Sequence, residues 1–252
     1  MAVKFELDEG IAIVTIDRPE ARNAVDRETA LAIDEAIRRI DSERAIRVGV
    51  ITGAGGNFCA GMDLKAFLRG EMMRFPETGF AGVTQANIAK PLIAAVEGYA
   101  LAGGFEIALA CDLVVAAEDA KFGLTEAKRG LVANAGGLVR LPRQLPAKIA
   151  SEMVLTGDIY PAALLAQHGL INRIVPKGEA LGAALDYARK IAANGPLAVA
   201  VSKRVLAESQ DWPTDEMFDR QNAITAMVFA SADAREGATA FTEKRAPVWR
   251  GE

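Results

Sequence analysis

Short apolar runs punctuated by glycine and proline set the pattern of the first half of the chain. Residues 11–16 (I-A-I-V-T-I), 46–52, 92–96 (L-I-A-A-V) and 113–117 are rich in β-branched or small apolar residues and bounded by turn formers, which predicts four buried strands. Asp26 is placed to cap a helix whose Ala30, Ile33, Ile37 and Ile40 share one face. Gly103 and Gly104 open a second, almost wholly apolar helix through Ala110. Recurring strand, glycine turn and helix predict an α/β fold of stacked β-β-α layers rather than a doubly wound sheet. From Leu145 onward helical periodicity dominates, over 147–155, 161–168, 180–193, 196–207, 216–229 and 233–244. The segment 68–85 mixes Met72, Met73, Phe75 and Phe80 with glycines and charges without a period, and reads as a mobile apolar flap.

Composition narrows the partners. At 252 residues, 51% hydrophobic and 25% charged, the chain can bury a large core and fits one domain or one domain with an appendage. A net charge of −4 provides no general field for nucleic acid, so a small molecule is the expected partner. Cys59 and Cys111 lack C-x-x-C spacing, which argues for core residues, a reducing compartment and no cysteine metal site. Acids near the N-terminus and within the long apolar stretch after Leu92 argue against a signal peptide or membrane span, so a cytoplasmic location is expected.

Candidate chemistry sits at two glycine turns. In residues 91–112 a helix start with free N–H groups is followed, three residues after Gly103, by Glu106. Anion-binding amides beside a half-buried carboxylate suit enolate chemistry; a core helix with a salt-bridged acid is the equal alternative on this stretch alone. The other turn, residues 53–65 (G-A-G-G-N-F-C-A-G-M-D-L-K), fails the dinucleotide fingerprint at Phe58 and the P-loop pattern at Met62. It is left as a tight turn whose Ala60 amide, before Gly61, is expected to point into a cleft, so that two turns each give one N–H to a single oxygen. A second acid, Glu126, follows 20 residues after Glu106. His168 reads as a helix-end residue and no G-x-S-x-G accompanies it, which excludes a Ser-His-Asp hydrolase. Asp63 reads as a structural ion-pair or hydrogen-bond partner, and Lys128, Arg129, Arg140 and Arg143 as a solvated face outside the site.

Arg18-Pro19 with Asn23-Ala24, Phe58 through Leu64, Glu97-Gly98-Tyr99-Ala100, Gly103 through Glu106, Phe122 through Glu126, Gly136-Gly137, Arg140-Leu141, and Phe241 with Lys244-Arg245-Ala246-Pro247 together resemble the crotonase superfamily, the enoyl-CoA hydratase/isomerase family. The resemblance spans almost the whole chain, and the order and spacing of its motifs make it specific. It implies a spiral of β-β-α turns over residues 1–195 and a helical trimerisation or lid region over 196–252. It also implies a homotrimer or dimer of trimers and an acyl-CoA thioester as substrate, with no metal and no cofactor beyond that coenzyme A.

Position by position, the resemblance implies that Ala60 and Gly103 supply the oxyanion-hole amides and that Glu106 and Glu126 are the catalytic carboxylates. Coenzyme A then lies along Ala60, Gly61, Met62 and Asp63, with Lys244 reaching its phosphates. Two retained acids favour a hydratase, which adds water syn across an α,β-unsaturated thioester to give a 3-hydroxyacyl-CoA, with Glu106 activating water and Glu126 protonating C2. Double-bond isomerisation, a dehydration like that of carnitinyl-CoA dehydratases (which residues 126–129, E-A-K-R, resemble) and a non-catalytic acyl-CoA scaffold are the alternatives. Three positions depart from the family pattern: Ala102 and Thr125 replace a frequent glycine and proline, and Ala133 stands where proline is usual.

Overall fold

A computed structural model describes residues 2–252. The four expected strands form, together with the unexpected β1 and several shorter ones. In chain order the first half contains β1 (Val3–Asp8), β2 (Ile11–Ile16), α1 (Arg27–Ser42), β3 (Val48–Gly53), α2 (Leu64–Leu68), β4 (Arg74–Phe75), β5 (Gly79–Phe80), β6 (Leu92–Val96), β7 (Tyr99–Leu101), α3 (Gly103–Ala110), β8 (Leu113–Ala117) and β9 (Lys121–Gly123). A 3-10 turn, Glu126–Arg129, leads to α4 (Gly137–Gln144), α5 (Ala147–Thr156), β10 (Tyr160–Pro161), α6 (Ala162–Gln167), β11 (Arg173–Val175), α7 (Ala180–Ala192), α8 (Pro196–Glu208), α9 (Met217–Phe229) and α10 (Ala232–Glu243).

The long sheet has the order β1-β2-β3-β6-β8-β11, antiparallel at β1-β2 and parallel elsewhere. A short sheet, β10-β9-β7, lies beside it. The chain lays β6 in the long sheet, β7 in the short sheet and then α3; it repeats with β8, β9 and the helical segment after them. This is the expected β-β-α layering, and an isolated bridge from Cys59 to Ala100 carries the preceding turn onto the edge of β7.

Period-two alternation explains how the long sheet can be covered twice. Ala12, Val14, Ile16, Ile51, Leu92, Ala94, Val96, Val114 and Ala116 face the larger core with α1 and α3. Ile11, Val48, Val50, Ile93, Ala95 and Val115 face α7, whose Ala180, Ala183, Ala184 and Ala188 let that helix lie close. Glu97 fixes its start, accepting hydrogen bonds from the Gly178 and Ala180 amides. As anticipated, Asp26 caps α1 through the Thr29 N–H, and all four apolar-face residues of α1 are buried.

Two expectations are corrected by packing. Strand β3 starts at Val48, because Ile46 is buried in the turn before the ladder, its N–H bonded to the Glu43 carbonyl. The segment 68–85 is not a free flap. It folds as the β4-β5 hairpin, with Met73 and Phe80 in the core and the Phe80 N–H donated to Thr84 Oγ1; only Met72 of these three is exposed. The tail is docked on its own chain: the Trp249 indole donates to the Ala193 carbonyl and its ring covers Gly195 and Gly237.

Candidate active site

The two glycine turns meet. A Cβ placed on Gly61 would fall 2.9 Å from the Gly103 nitrogen and 2.9 Å from the Leu101 carbonyl oxygen, so only glycine permits the approach. The backbone donors of the first turn can be accounted for one by one. The Ala60 N–H donates to the Arg22 carbonyl (3.0 Å), that of Gly61 to Cys59 Sγ (3.4 Å) and that of Asp63 to the Val25 carbonyl (2.9 Å). Ala60 is therefore not the free donor expected from the sequence. Met62 is, since its N–H finds no acceptor among the described residues. Both neighbours of Met62 are tied to Val25, through the Gly61 carbonyl and the Asp63 amide, in a parallel bridge. Backbone alternation then turns the Met62 N–H away from Val25.

On the other turn, the first bond of α3 runs from the Glu106 N–H to the Ala102 carbonyl, which leaves the Gly103 N–H ahead of it without an acceptor among the described residues. Ala102 turns the chain with φ +50° and ψ −125°, a conformation that favours glycine, and the Phe80 ring lies 2.7 Å from where a Gly103 Cβ would be.

Glu106 projects from α3 into the protein, 3% exposed, and its Oε1 accepts the Gly137 N–H at 2.8 Å. Burial pushes its carboxyl up to about 7; the Gly137 amide and Arg140 pull it down, while the Glu126 charge pushes the same way as burial. Glu126 opens the 3-10 turn after β9. Burial raises its carboxyl as well, and its Oε2 is buried with no hydrogen-bond partner among the described residues. The expected acids are thus brought within electrostatic reach of each other, one held by a backbone donor and one carrying a free acceptor.

The remaining site expectations fare differently. Asp63 caps α2, accepting from Lys65 and Ala66 N–H, and pairs with Arg18; these contacts outweigh its burial and hold its carboxyl below the ordinary range. Gly61 adjoins the Gly103 turn and Met62 and Asp63 follow it in the same stretch, whereas Lys244 ends α10 in an exposed left-handed conformation with no ion pair to these residues. His168 ends α6, as anticipated, and both cysteines are buried and free.

One member of the basic cluster was misplaced by the sequence. Lys128 pairs with Asp158 and Arg143 with Asp211, but Arg140 is half-buried beside Glu106 and has no ion pair among the described residues. The signal for it is its spacing, one helical turn beyond Gly136-Gly137. A larger open cavity, about 810 Å³, lies between α3, α4 and α8, lined in part by Leu109, Arg140, Lys203 and Leu206; neither glutamate lines it.

Comparison with known proteins gives the family and the fold. Residues 6–252 match the enoyl-CoA hydratase/isomerase family model. The chain is 43% identical over 246 residues to a carnitinyl-CoA dehydratase of Salmonella typhi, covering 94% of each chain. A solved enoyl-CoA hydratase from Mycobacterium marinum superposes with a TM-score of 0.97 at 52% identity, over 100% of this chain and 99% of that one. A carnitinyl-CoA hydratase from Mycobacterium avium gives a TM-score of 0.80 at 46% identity, over 100% and 99%. With the family model spanning nearly the whole chain and the crotonase fold shared at this similarity, the chain belongs to the enoyl-CoA hydratase/isomerase family.

Proposed function

We propose that this enzyme adds water syn across an α,β-unsaturated acyl-CoA thioester to give the 3-hydroxyacyl-CoA. The observation that carries the reading is the combination of two carboxylates within electrostatic reach, buried Glu106 and half-buried Glu126, with a contact between two turns that each present an amide unpaired among the described residues, Met62 and Gly103, the second of which opens the helix that carries Glu106. Addition at C3 moves negative charge onto the thioester oxygen, where two fixed N–H donors stabilise the enolate more than the ground-state carbonyl. Glu106, ionised, accepts a proton from water as its oxygen bonds to C3; Glu126, protonated, delivers a proton to C2. The acids finish with exchanged protonation states and return through solvent. A carboxyl near 7 suits the base at neutral pH, and the unpartnered Glu126 oxygen suits a group that handles water or substrate.

Coenzyme A is assigned to the Gly61–Asp63 turn, with Lys244 reaching the phosphates from a neighbouring subunit of a trimer or dimer of trimers. Dehydration of a polar 3-hydroxyacyl-CoA is the second reading, favoured by the 43% identical carnitinyl-CoA dehydratase; it runs the same steps in reverse. The test incubates the enzyme with enoyl-CoAs of short, long and aromatic acyl groups and, separately, with carnitinyl-CoA, and identifies products by mass. A 3-hydroxyacyl product from an enoyl-CoA supports hydration, and exclusive turnover of carnitinyl-CoA supports the second reading. A shifted double bond without water uptake, or tight binding without turnover, contradicts both in favour of an isomerase or a scaffold.

A further inference from the structure

We propose that Arg18 is a positioning residue for the Met62 amide, and hence for stabilisation of the thioester oxyanion. The inference rests on the anion-binding role given above to the Met62–Gly103 pair. Met62 takes its direction from the bridge to Val25, in which the Val25 N–H donates to the Gly61 carbonyl (2.8 Å) and the Asp63 N–H to the Val25 carbonyl (2.9 Å); the Ala60 N–H to the Arg22 carbonyl (3.0 Å) is a further backbone tie between the two segments. Beyond these few backbone bonds, side chains decide how firmly the loop and the tight turn are held together.

The Arg18 guanidinium brackets that bridge. Nη1 donates to the Ala24 carbonyl at 2.5 Å, just before Val25. Nη2 meets Asp26 Oδ2 at 3.0 Å, just after Val25, and Asp63 Oδ2 at 3.3 Å, just after Met62. All three side chains are four-fifths buried or nearly so, at 19%, 20% and 16% exposure, so solvent screens these contacts little. Each carboxylate is itself immobilised. Asp26 caps α1 through Thr29 and Asp63 caps α2 through Lys65 and Ala66, so the guanidinium joins two helix starts across the bridge. The Arg18 backbone is fixed too, its N–H donating to Asn23 Oδ1, while Asn23 Nδ2 ties Ala54 and Asn57. A planar fork of donors can span an oxygen and two carboxylates at once; an ammonium cannot hold all three directions. Arg18 does not touch the expected reacting atoms, and its effect is transmitted through the direction of one N–H.

The test uses cinnamoyl-CoA, whose conjugated absorbance moves to the red when its thioester oxygen is polarised. Difference spectra, dissociation constants from the same titrations, kcat and thermal unfolding are measured for the parent, Arg18→Met, Arg18→Lys and Asp63→Asn. We expect a bound red shift in the parent that is reduced in all three variants. Turnover should fall by at least ~10-fold, less than the ~10²–10³ of deleting an oxyanion donor, with dissociation constants within ~3-fold for the two Arg18 variants. Arg18→Met leaves two carboxylates half-buried without their cation; if it does not fold, Arg18→Lys and Asp63→Asn carry the same comparison. Folded variants with the full red shift overturn the inference, whether or not turnover falls, since the loss would then arise elsewhere. A parent that binds without any red shift overturns the anion-binding reading of the turns, and the inference with it.

Discussion

Glu106 has the environment of a group kept poised against its own stability. A carboxyl raised to about 7 by burial binds its proton more tightly in the native state than in the unfolded chain. Its proton therefore favours folding fully below the unfolded value near 4.5, and that contribution declines as pH rises through about 7. Glu106→Gln removes the buried charge while keeping the shape. We expect it to raise thermal stability at pH 8, by up to roughly 3 kcal/mol, and to change it little at pH 5, in parallel unfolding scans. The same ionisation sets activity with the opposite sign: kcat for hydration should rise with pH through a limb near 7, and a flat profile between pH 6 and 8 would remove Glu106 as the base. Glu126→Gln should leave coenzyme A thioester binding in place and lower turnover by at least ~10²-fold. Both acids were legible from the motifs around them. Arg140 was not, because a string of basic residues gives no sign of which member finds no carboxylate and turns inward.

At the level of elements, the glycine turns were recognisable and the choice of donor was not. Ala60 loses its N–H to a carbonyl 38 residues earlier, at Arg22, and only the folded register of that loop reveals it. For the same reason the segment 68–85 looked shapeless: its order comes from tight turns at Gly79, Ala81 and Gly82, all with positive φ, and not from a period. The turn into α3 carries a testable strain. Ala102 at φ +50° occupies a conformation costing of order 1–3 kcal/mol for a residue with a Cβ. Ala102→Gly relieves it at the expense of greater freedom in the unfolded chain, and we expect a net gain of about 1 kcal/mol, read as a melting temperature a few degrees higher. A lower melting temperature would show that the alanine methyl is packed usefully. A valine at Gly103 meets the Phe80 ring, so it should damage turnover more than folding, and loss of the fold would make that glycine structural.

Across the whole molecule, layering was readable because β2, β3, β6 and β8 of the long sheet are short, apolar and closed by a turn, and each of the six late helices carries its own period; β1, with its mostly exposed, charge-bearing pattern, gave no such signal. The short strands β7, β9, β10 and β11 were not, being two or three residues that owe their state to neighbours in the sheet. Helices α8 to α10 leave Leu206, Phe218, Phe229 and Phe241 largely exposed, which fits the subunit contacts expected of this region. Light scattering should accordingly give three or six times the 26.7 kDa chain mass, and a monomer would contradict that expectation. The central claim, that Glu106 and Glu126 together perform the hydration, is tested most directly by the decay of conjugated-thioester absorbance. Parent enzyme and the Glu106→Gln/Glu126→Gln double variant are followed side by side on the enoyl-CoA that the parent consumes fastest. Rapid decay to the 3-hydroxyacyl product with the parent, and none above background with a folded double variant that still binds the ester, is the expected result; comparable decay with both would contradict it.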